Sequence, residues 1–270
     1  MDTEVRYLQR PEGRIAYTSQ GTGPLVITSP GMGDLRHTWR FLSPRIAEAG
    51  FQVVDADLRG HGDRDTTFSA YGDAETGRDI IALLEELGQP AFVVGNSMGA
   101  AAAVWASAAR PDLVRGLVLV GPVVRDARMP AILKLLMRAA LTPPLTRLTW
   151  NAYLPSLYAG QRPADFDDYR RAVSDALKRP GYARAFAKTA QLSHAVAEQS
   201  LPRVQQPMLI IMGEKDPDFP DPAAEAAWLA TGRNADVLMV PDAAHYPQSQ
   251  RPDIVVPAIV SYLKGLAANA

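Results

Sequence analysis

The sequence predicts an α/β protein: a mostly parallel eight-stranded sheet flanked by helices, with a helical segment inserted after the sixth strand. Short β-branched runs alternate with helix-like segments along the chain, which is the pattern of a layered α/β domain. Most of these runs are apolar at nearly every position, as strands covered on both faces are. The alternation is interrupted once, over residues 125–200, where no run has a convincing strand pattern.

The eight strands are predicted as a hairpin followed by six single strands. The hairpin spans residues 4–20 around Pro11-Glu12-Gly13, with apolar residues at alternate positions. The later strands are predicted at residues 24–29, 51–57, 91–96, 113–121, 207–213 and 235–241. Helices are predicted between them and at the end of the chain, at residues 38–49, 74–87, 98–109, 222–231 and 252–267. Right-handed crossovers through these helices would cover both faces of the sheet.

The interruption is predicted to be a helical cap, residues 125–200, on a core made of residues 1–124 and 201–270. It carries the runs AILKLLMRAAL, DFDDYRRAVSDALKR and YARAFAKTAQLSHAV, with a break predicted at LTPPLT, residues 141–146. The cap has 12 Arg and Lys against 6 Asp and Glu, whereas the rest of the chain has 16 against 23. A basic cap would attract anionic substrates, but we favour a solvated face that complements an acidic core.

Composition excludes several classes of protein. The formal net charge is -1, and no stripe of Lys and Arg with interleaved aromatic residues suggests a nucleic-acid partner. Cysteine is absent, which excludes disulfides, thiol catalysis and thiolate metal sites. The start, MDTEVRYLQR, does not resemble a signal peptide, and no apolar run approaches the length of a membrane span. We therefore expect a cytoplasmic location and no membrane span.

Ser97 is the candidate nucleophile. It lies in Gly95-Asn96-Ser97-Met98-Gly99, a G-x-S-x-G pattern at the end of a predicted strand and the start of a predicted helix, which is the context that this motif requires. Glycines are needed there because a nucleophile on so sharp a turn packs tightly against adjacent backbone. The alternative is a serine that merely caps the helix.

His245 is the candidate base among four histidines. A serine hydroxyl needs a base, and His245 follows the last predicted strand, at the same carboxyl edge of the sheet as Ser97. His37 begins a predicted helix and could cap it or line the pocket. His61 is better explained by a tight turn, and His194 by a place in the inserted segment.

Asp216 is the candidate acid that orients this base. The loop GEKDPDFP follows the strand that ends at Gly213, between the serine and the histidine in chain order. Asp216 fits best, with Pro217 behind it stiffening the turn. Asp218 and Glu214 remain alternatives, and for Asp218 an N-cap of the next helix is the more ordinary interpretation.

The chain resembles enzymes of the α/β-hydrolase fold, in particular their capped serine hydrolase branch, over essentially its whole length. The resemblance rests on the serine turn, on GEKDPDFP as the acid loop, on AAHYPQSQRP as the histidine loop and on DLRGHGDRD after the fourth strand. It implies a helical cap and an oxyanion hole made by the backbone N–H groups of Met32 and Met98. Two positions depart from the family pattern: Pro30 replaces a structural histidine, and Ala244 replaces a glycine.

The resemblance implies a serine hydrolase that cleaves a small or medium carboxylic ester or lactone, and that needs no metal or organic cofactor. The same triad could instead cleave a carbon-carbon bond or transfer an acyl group, and a binding protein with an inactive site is a third hypothesis. A serine at this turn argues against the dehalogenase and epoxide hydrolase branches, which use a carboxylate there. Candidate pocket residues in the cap are apolar or aromatic: Trp150, Tyr153, Leu157, Tyr158, Phe186 and Leu192.

Overall fold

Eight strands form one sheet in the computed structural model of the chain, which describes residues 4–126 and 130–268. The strands are β1 (Arg6–Arg10), β2 (Gly13–Gln20), β3 (Leu25–Ser29), β4 (Gln52–Ala56), β5 (Ala91–Asn96), β6 (Val114–Val120), β7 (Met208–Gly213) and β8 (Ala235–Val240). Their order is β1-β2-β4-β3-β5-β6-β7-β8. Only the pairs β1–β2 and β2–β4 are antiparallel, so the predicted mostly parallel sheet is confirmed.

Eleven α-helices accompany the strands in the described ranges. They are α1 (Ser43–Glu48), α2 (Asp73–Leu87), α3 (Met98–Ala109), α4 (Ala131–Ala140), α5 (Thr146–Tyr153), α6 (Phe166–Ala176), α7 (Tyr182–Thr189), α8 (Ala195–Ser200), α9 (Pro222–Ala230), α10 (Pro247–Gln250) and α11 (Pro252–Ala268). The single helix predicted over residues 38–49 is wrong, because a 3-10 turn at Arg36–Trp39 is followed by a separate α1. Pro44 lies in the first turn of α1, where a proline favours the start of a new helix.

Both faces of the sheet are covered, as the apolar runs predicted. Neighbouring residues on a strand enter different cores: Ile27 and Val93 pack with the helices α2, α3 and α9 on one face. Val26 and Val94 pack with α1 and α11 on the other face. Since side chains alternate along a strand, both faces must be apolar when both are buried.

The helices α4 to α8 lie between β6 and β7, and α4 and α5 are separated by the predicted break at residues 141–146. Aromatic residues from α5, α6 and α7 form a third buried cluster. Leu35 and Tyr246, which lie outside the insertion, also belong to this cluster. Ala197 of α8 packs instead with the core helices. The division into core and cap stays a prediction, and its residues 1–3, 127–129 and 269–270 lie outside the described residues. Among the described helices, none is long and apolar enough to cross a membrane.

Candidate active site

Ser97 occupies a strained turn between β5 and α3. Its φ is 54° and its ψ is -119°, a region that residues with a side chain rarely adopt. The Ser97 N–H donates to the carbonyl of Val120 at 3.0 Å, and the Ser97 carbonyl accepts from the N–H of Ala100 at 3.0 Å. Such strain is typical of functional sites because the surrounding structure must hold it in place. The Ser97 side chain does not cap α3, since it makes no hydrogen bond to the first turn of that helix.

The two glycines of the motif are required by close backbone contacts. A Cβ on Gly95 would lie 2.5 Å from the amide nitrogen of Ala100. A Cβ on Gly99 would lie 2.6 Å from the carbonyl oxygen of Pro30, and Cβ atoms are essentially never found so close to backbone atoms. The start of α3 therefore packs directly on β5 and on the loop after β3, and this fit carries Ser97 on its outer side.

His245 and Asp216 form a short hydrogen-bonded pair. The Nδ1 atom of His245 is 2.8 Å from Oδ2 of Asp216, and both residues are 2% exposed. Burial by itself would lower the pKa of His245, but the carboxylates of Asp216 and Asp218 raise it to about 9. The pair brings the predicted base and the predicted acid together and leaves Nε2 as the ring atom free of Asp216.

Asn96 connects the backbone next to the nucleophile with the backbone of the base. Its side-chain Nδ2 donates to the carbonyl of His245 at 3.1 Å and to the carbonyl of Val120 at 2.9 Å. Val120 also accepts the Ser97 N–H. Gly121 follows at once, and a Cβ there would lie 3.3 Å from Nδ1 of His245. Ser97 and the His245 loop are therefore neighbours across the end of β6.

The loop after β3 lies against the nucleophile. A Cβ on Gly31 would lie 2.8 Å from Cβ of Ser97, so the next residue, Met32, is close to the serine. The backbone N–H groups of Met32 and of Met98, the first residue of α3, donate no hydrogen bond within the described ranges. Two unused donors beside a serine are what an oxyanion hole needs. The role of Met32 and Met98 as an oxyanion hole stays a prediction.

Asp218 is a second carboxylate beside the same imidazole. Its Oδ2 is 3.5 Å from Nδ1 of His245, and its N–H donates to Oδ1 of Asp216 at 3.0 Å. The hydroxyl of Tyr153 in α5 donates to Oδ1 of Asp218. Asp216, Asp218 and His245 have ligand atoms within 4.8 Å of one another, a spacing that would suit a cation. The hydrogen bond to Asp216 already uses the Nδ1 atom that would have to bind it.

The other candidates of the acid loop have different surroundings. Glu214 is exposed, and its N–H donates to the carbonyl of Val240. The N-cap of α9 is Asp221, whose Oδ1 accepts from the N–H of Ala224 at 2.9 Å. The interpretation of Asp218 as the cap of this helix is therefore wrong, because the N-cap lies three residues later, at Asp221.

The other histidines have partners elsewhere. His37 is exposed in the 3-10 turn. His61 is fully buried, its Nδ1 is 2.9 Å from the carbonyl of Arg59, and burial lowers its pKa to about 4. His194 lies at the start of α8 with Nδ1 3.0 Å from Asp73, and this pairing with a buried carboxylate raises the pKa of His194 against the effect of its own burial. None of these contacts involves Ser97.

The helical insertion contacts the loop after β3 directly. Nε1 of Trp150 donates to the carbonyl of Gly33 at 3.1 Å, and the hydroxyl of Tyr169 donates to the buried Asp34. Gly33 has a φ of 74°, and a Cβ there would lie 2.5 Å from the Phe186 ring. The position of Met32 thus depends on side chains from α5, α6 and α7, which no motif in the sequence indicates.

The predicted pocket residues divide into two groups. Trp150, Leu157, Tyr158 and Phe186 are buried in the aromatic cluster, whereas Tyr153 and Leu192 are 36% and 37% exposed. Leu157 also touches the base, since its carbonyl accepts the N–H of His245 at 3.0 Å. Contact with substrate stays a prediction for all six. At Ala244, the second departure, the N–H donates to Oε1 of Gln250 at 2.8 Å, which holds the histidine loop in place.

The chain is similar in sequence and in fold to known proteins. Residues 25–258 match the model of the alpha/beta hydrolase family. The 2-(acetamidomethylene)succinate hydrolase of Mesorhizobium japonicum is 28% identical over 262 residues, covering 93% of this chain and 92% of that protein. Haloalkane dehalogenase 2 of Mycobacterium tuberculosis is also 28% identical, with 95% and 94% covered. A thermophilic esterase from Thermogutta terrifontis shares the fold, with a TM-score of 0.80, 21% identity, and 97% and 99% of the two chains covered.

Proposed function

The chain belongs to the alpha/beta hydrolase family and is a hydrolase, and on this premise we propose that it cleaves a small or medium carboxylic ester or lactone through an acyl-enzyme on Ser97. The observation that carries the proposal is the 2.8 Å pair of His245 and Asp216 beside a serine held at a φ of 54°. A strained serine, an oriented imidazole and two unused N–H donors are the parts that acyl transfer requires.

The first half-reaction forms the acyl-enzyme. His245 takes the proton of the Ser97 hydroxyl through Nε2 while Oγ attacks the carbonyl carbon of the substrate, and Asp216 stabilises the imidazolium through Nδ1. The carbonyl oxygen becomes an oxyanion, which the N–H groups of Met32 and Met98 stabilise by about 3 kcal/mol each. The carbon-oxygen bond then breaks, and the leaving alkoxide takes the proton from Nε2.

The second half-reaction regenerates the serine. His245, neutral again, removes a proton from water, and the resulting hydroxide attacks the acyl carbon through the same oxyanion hole. Breaking the bond to Ser97 releases the carboxylic acid, and Nε2 returns the proton to Oγ. In a lactone the alcohol and the acid are two ends of one product, so the same steps open the ring.

A serine rather than a carboxylate supports this chemistry over alkyl transfer. Relatives of this chain include a haloalkane dehalogenase and epoxide hydrolases. Those branches use a carboxylate at the turn, which forms an alkyl-enzyme ester. Ser97 forms a carboxylic ester instead, provided that the substrate offers an electrophilic carbonyl.

Labelling with a fluorophosphonate tests the proposal. We expect mass spectrometry to find one adduct on Ser97 in the folded protein and none in Ser97→Ala. Ser69→Ala is the matched control, because Ser69 is a surface serine that donates a hydrogen bond to Glu12. This substitution should leave the labelling unchanged. Turnover of a panel of p-nitrophenyl esters and lactones of graded length should be lost in Ser97→Ala only.

Two outcomes would contradict the proposal. Absence of any adduct on Ser97 in folded protein would show that the serine is not activated. Ready labelling together with ester hydrolysis barely above the buffer rate would show instead that the triad serves carbon-carbon cleavage or acyl transfer to another acceptor.

A further inference from the structure

Helix α4 has the sequence of a basic amphipathic helix. At helical spacing its large apolar residues form one broad arc, and its only charged residues, Lys134 and Arg138, are four positions apart in the sequence. A surface helix of a globular protein normally turns such an arc toward its core. The sequence pattern of α4 therefore requires an apolar neighbour.

The structure leaves this apolar arc exposed. The large apolar side chains of α4 from Ile132 to Met137 are between 42% and 65% exposed, and Leu145 and Leu148 at the start of α5 are 49% and 71% exposed. We name these residues the apolar face: Ile132, Leu133, Leu135, Leu136, Met137, Leu145 and Leu148. In the described parts of the chain, ten of the twelve exposed large hydrophobic residues lie in the segment between β6 and β7. Such concentration marks an interaction surface.

The stretch of sequence that contains the apolar face is basic. Residues 127–164 contain no Asp or Glu, and their basic residues are Arg128, Lys134, Arg138, Arg147 and Arg162. A second copy of this chain placed face to face would bring two such segments together, and their like charges would repel. A partner with a negatively charged surface and an apolar interior would complement both the basic residues and the apolar face.

We propose that the apolar face binds an anionic lipid surface, with α4 lying in the plane of the headgroups and its leucines inserted at the boundary of the acyl chains. Basic amphipathic helices bind membranes in this way, by apolar burial together with attraction between Lys or Arg and anionic lipids. The helix is ten residues long, so it would lie on the surface rather than span it. This binding is reversible, because only one short helix and its neighbour take part.

Vesicle flotation tests the proposal on the full chain. Ser97→Ala protein is used, so that binding is measured without hydrolysis and stands apart from the proposed activity. We expect binding to phosphatidylcholine vesicles that contain about 30% phosphatidylserine, at least roughly tenfold tighter than to pure phosphatidylcholine vesicles. High salt should weaken the binding, because it screens the charges.

Matched variants separate the two contributions. Leu135→Asp/Leu136→Asp should reduce binding to both kinds of vesicle by more than about tenfold, because it removes apolar burial. Arg147→Ala should weaken binding to the anionic vesicles about fivefold and leave binding to neutral vesicles unchanged. The control is Val237→Asp, which places the same charge on an apolar residue of β8 that is 43% exposed. It should not change binding.

Three outcomes would overturn the proposal. One is wild-type affinity for anionic vesicles in the Leu135→Asp/Leu136→Asp variant, with unchanged circular dichroism and melting temperature. Another is no flotation of the parent protein at any lipid concentration. The third is a concentration-dependent dimer in light scattering that the same double variant abolishes, which would identify a second copy as the occupant.

Discussion

The loops at the carboxyl edge of the sheet and the helical insertion above them hold their residues by different means. In the loops, backbone contacts backbone so closely that a methyl group on Gly95 or Gly99 would collide. In the insertion, aromatic rings pack with one another, and much of α4 is left exposed. Backbone packing therefore fixes the loops of the core, whereas side-chain packing holds the insertion together.

The two regions meet through several hydrogen bonds near the proposed chemistry, including the bond from the N–H of His245 to the carbonyl of Leu157. Trp150 donates to Gly33 on the loop after β3, and Tyr153 donates to Asp218 on the loop after β7. In the proposed mechanism the core would supply the reacting groups, and the insertion contacts the loops that carry them.

The largest difference is expected between the two aspartates of the acid loop. Asp216→Asn should reduce kcat by about 10⁴-fold, because the amide no longer orients and stabilises the imidazolium. Asp218→Asn should change kcat at its pH optimum by less than about tenfold, because Asp218 is 3.5 Å from the imidazole rather than 2.8 Å. Steady-state ester hydrolysis by both variants provides the measurement. Equal losses would mean that the two carboxylates share the role.

A methyl group at the serine turn should destabilise the core more than any single change in the insertion. Gly99→Ala places a Cβ 2.6 Å from the carbonyl oxygen of Pro30, and we expect a loss of about 3 kcal/mol in the free energy of unfolding together with most of the activity. Gly265→Ala in α11 is the control, because no atom lies within 4 Å of its added Cβ. That variant should be neutral or stabilised by about 0.5 kcal/mol. Urea unfolding of both variants measures this difference. Equal free energies of unfolding would refute the close packing of Gly99 against the backbone of Pro30.

The apolar pattern of the sequence was sufficient to predict the sheet, most helices and the strand ends at which Ser97, Asp216 and His245 lie. Parallel strands bring their carboxyl ends to one edge, so residues that follow strands could be matched by chemistry alone. The break between the 3-10 turn and α1 was missed, although Pro44 was a local signal for it.

Apart from the pair of Asp216 and His245, hydrogen bonds from side chains to distant parts of the chain could not be predicted. Asn96 bonds a carbonyl 149 residues away, and Tyr153 bonds Asp218 across 65 residues. Such pairs have no periodicity and no fixed spacing in the sequence, because they depend on how the loops fold over the sheet. Trp150 was identified only as an aromatic residue of the insertion, and its hydrogen bond to Gly33 required the structure.

A moderate effect is expected when the hydrogen bond from the insertion to the loop after β3 is removed. Trp150→Phe keeps an aromatic ring but removes the N–H that donates to Gly33, which should lower kcat by roughly tenfold with little change in KM, the pattern of a contact felt mainly in the transition state. Trp228→Phe in α9 is the control, since its ring stacks with Arg125 and should not affect kcat. A change confined to KM would show that Trp150 acts on binding alone.

The smallest effect is expected in the pH profile. Only neutral His245 can act as base, and its pKa is about 9, so kcat/KM should rise as the pH increases through about 9. The charges facing the ring are the carboxylates of Asp216, Asp218 and Asp34. Asp218→Asn removes one of them and should move the midpoint to lower pH by on the order of one unit. An unchanged midpoint would mean that Asp218 does not act on the imidazole.

The same group predicts how stability varies with pH. The pKa of His245 is above its ordinary value of 6.5, so the folded state binds its proton more tightly than the unfolded chain does. The resulting stabilisation is complete below about pH 6.5 and is lost as the pH rises through about 9. Melting temperatures of wild type and Asp218→Asn across this range should show a smaller loss in the variant.

The two hydrogen bonds of the Asn96 amide bear on attempts to transplant this chemistry. Moving the pentapeptide Gly95-Asn96-Ser97-Met98-Gly99 into another scaffold would transfer the nucleophile, but the spacing to its imidazole partner is inherited from the ends of β6 and the histidine loop. A recipient that lacks a carbonyl at each of those two places would display a serine with nothing to deprotonate it. Grafting this centre would therefore require the serine turn, the end of β6 and the histidine loop to be copied together with the loop that carries Asp216.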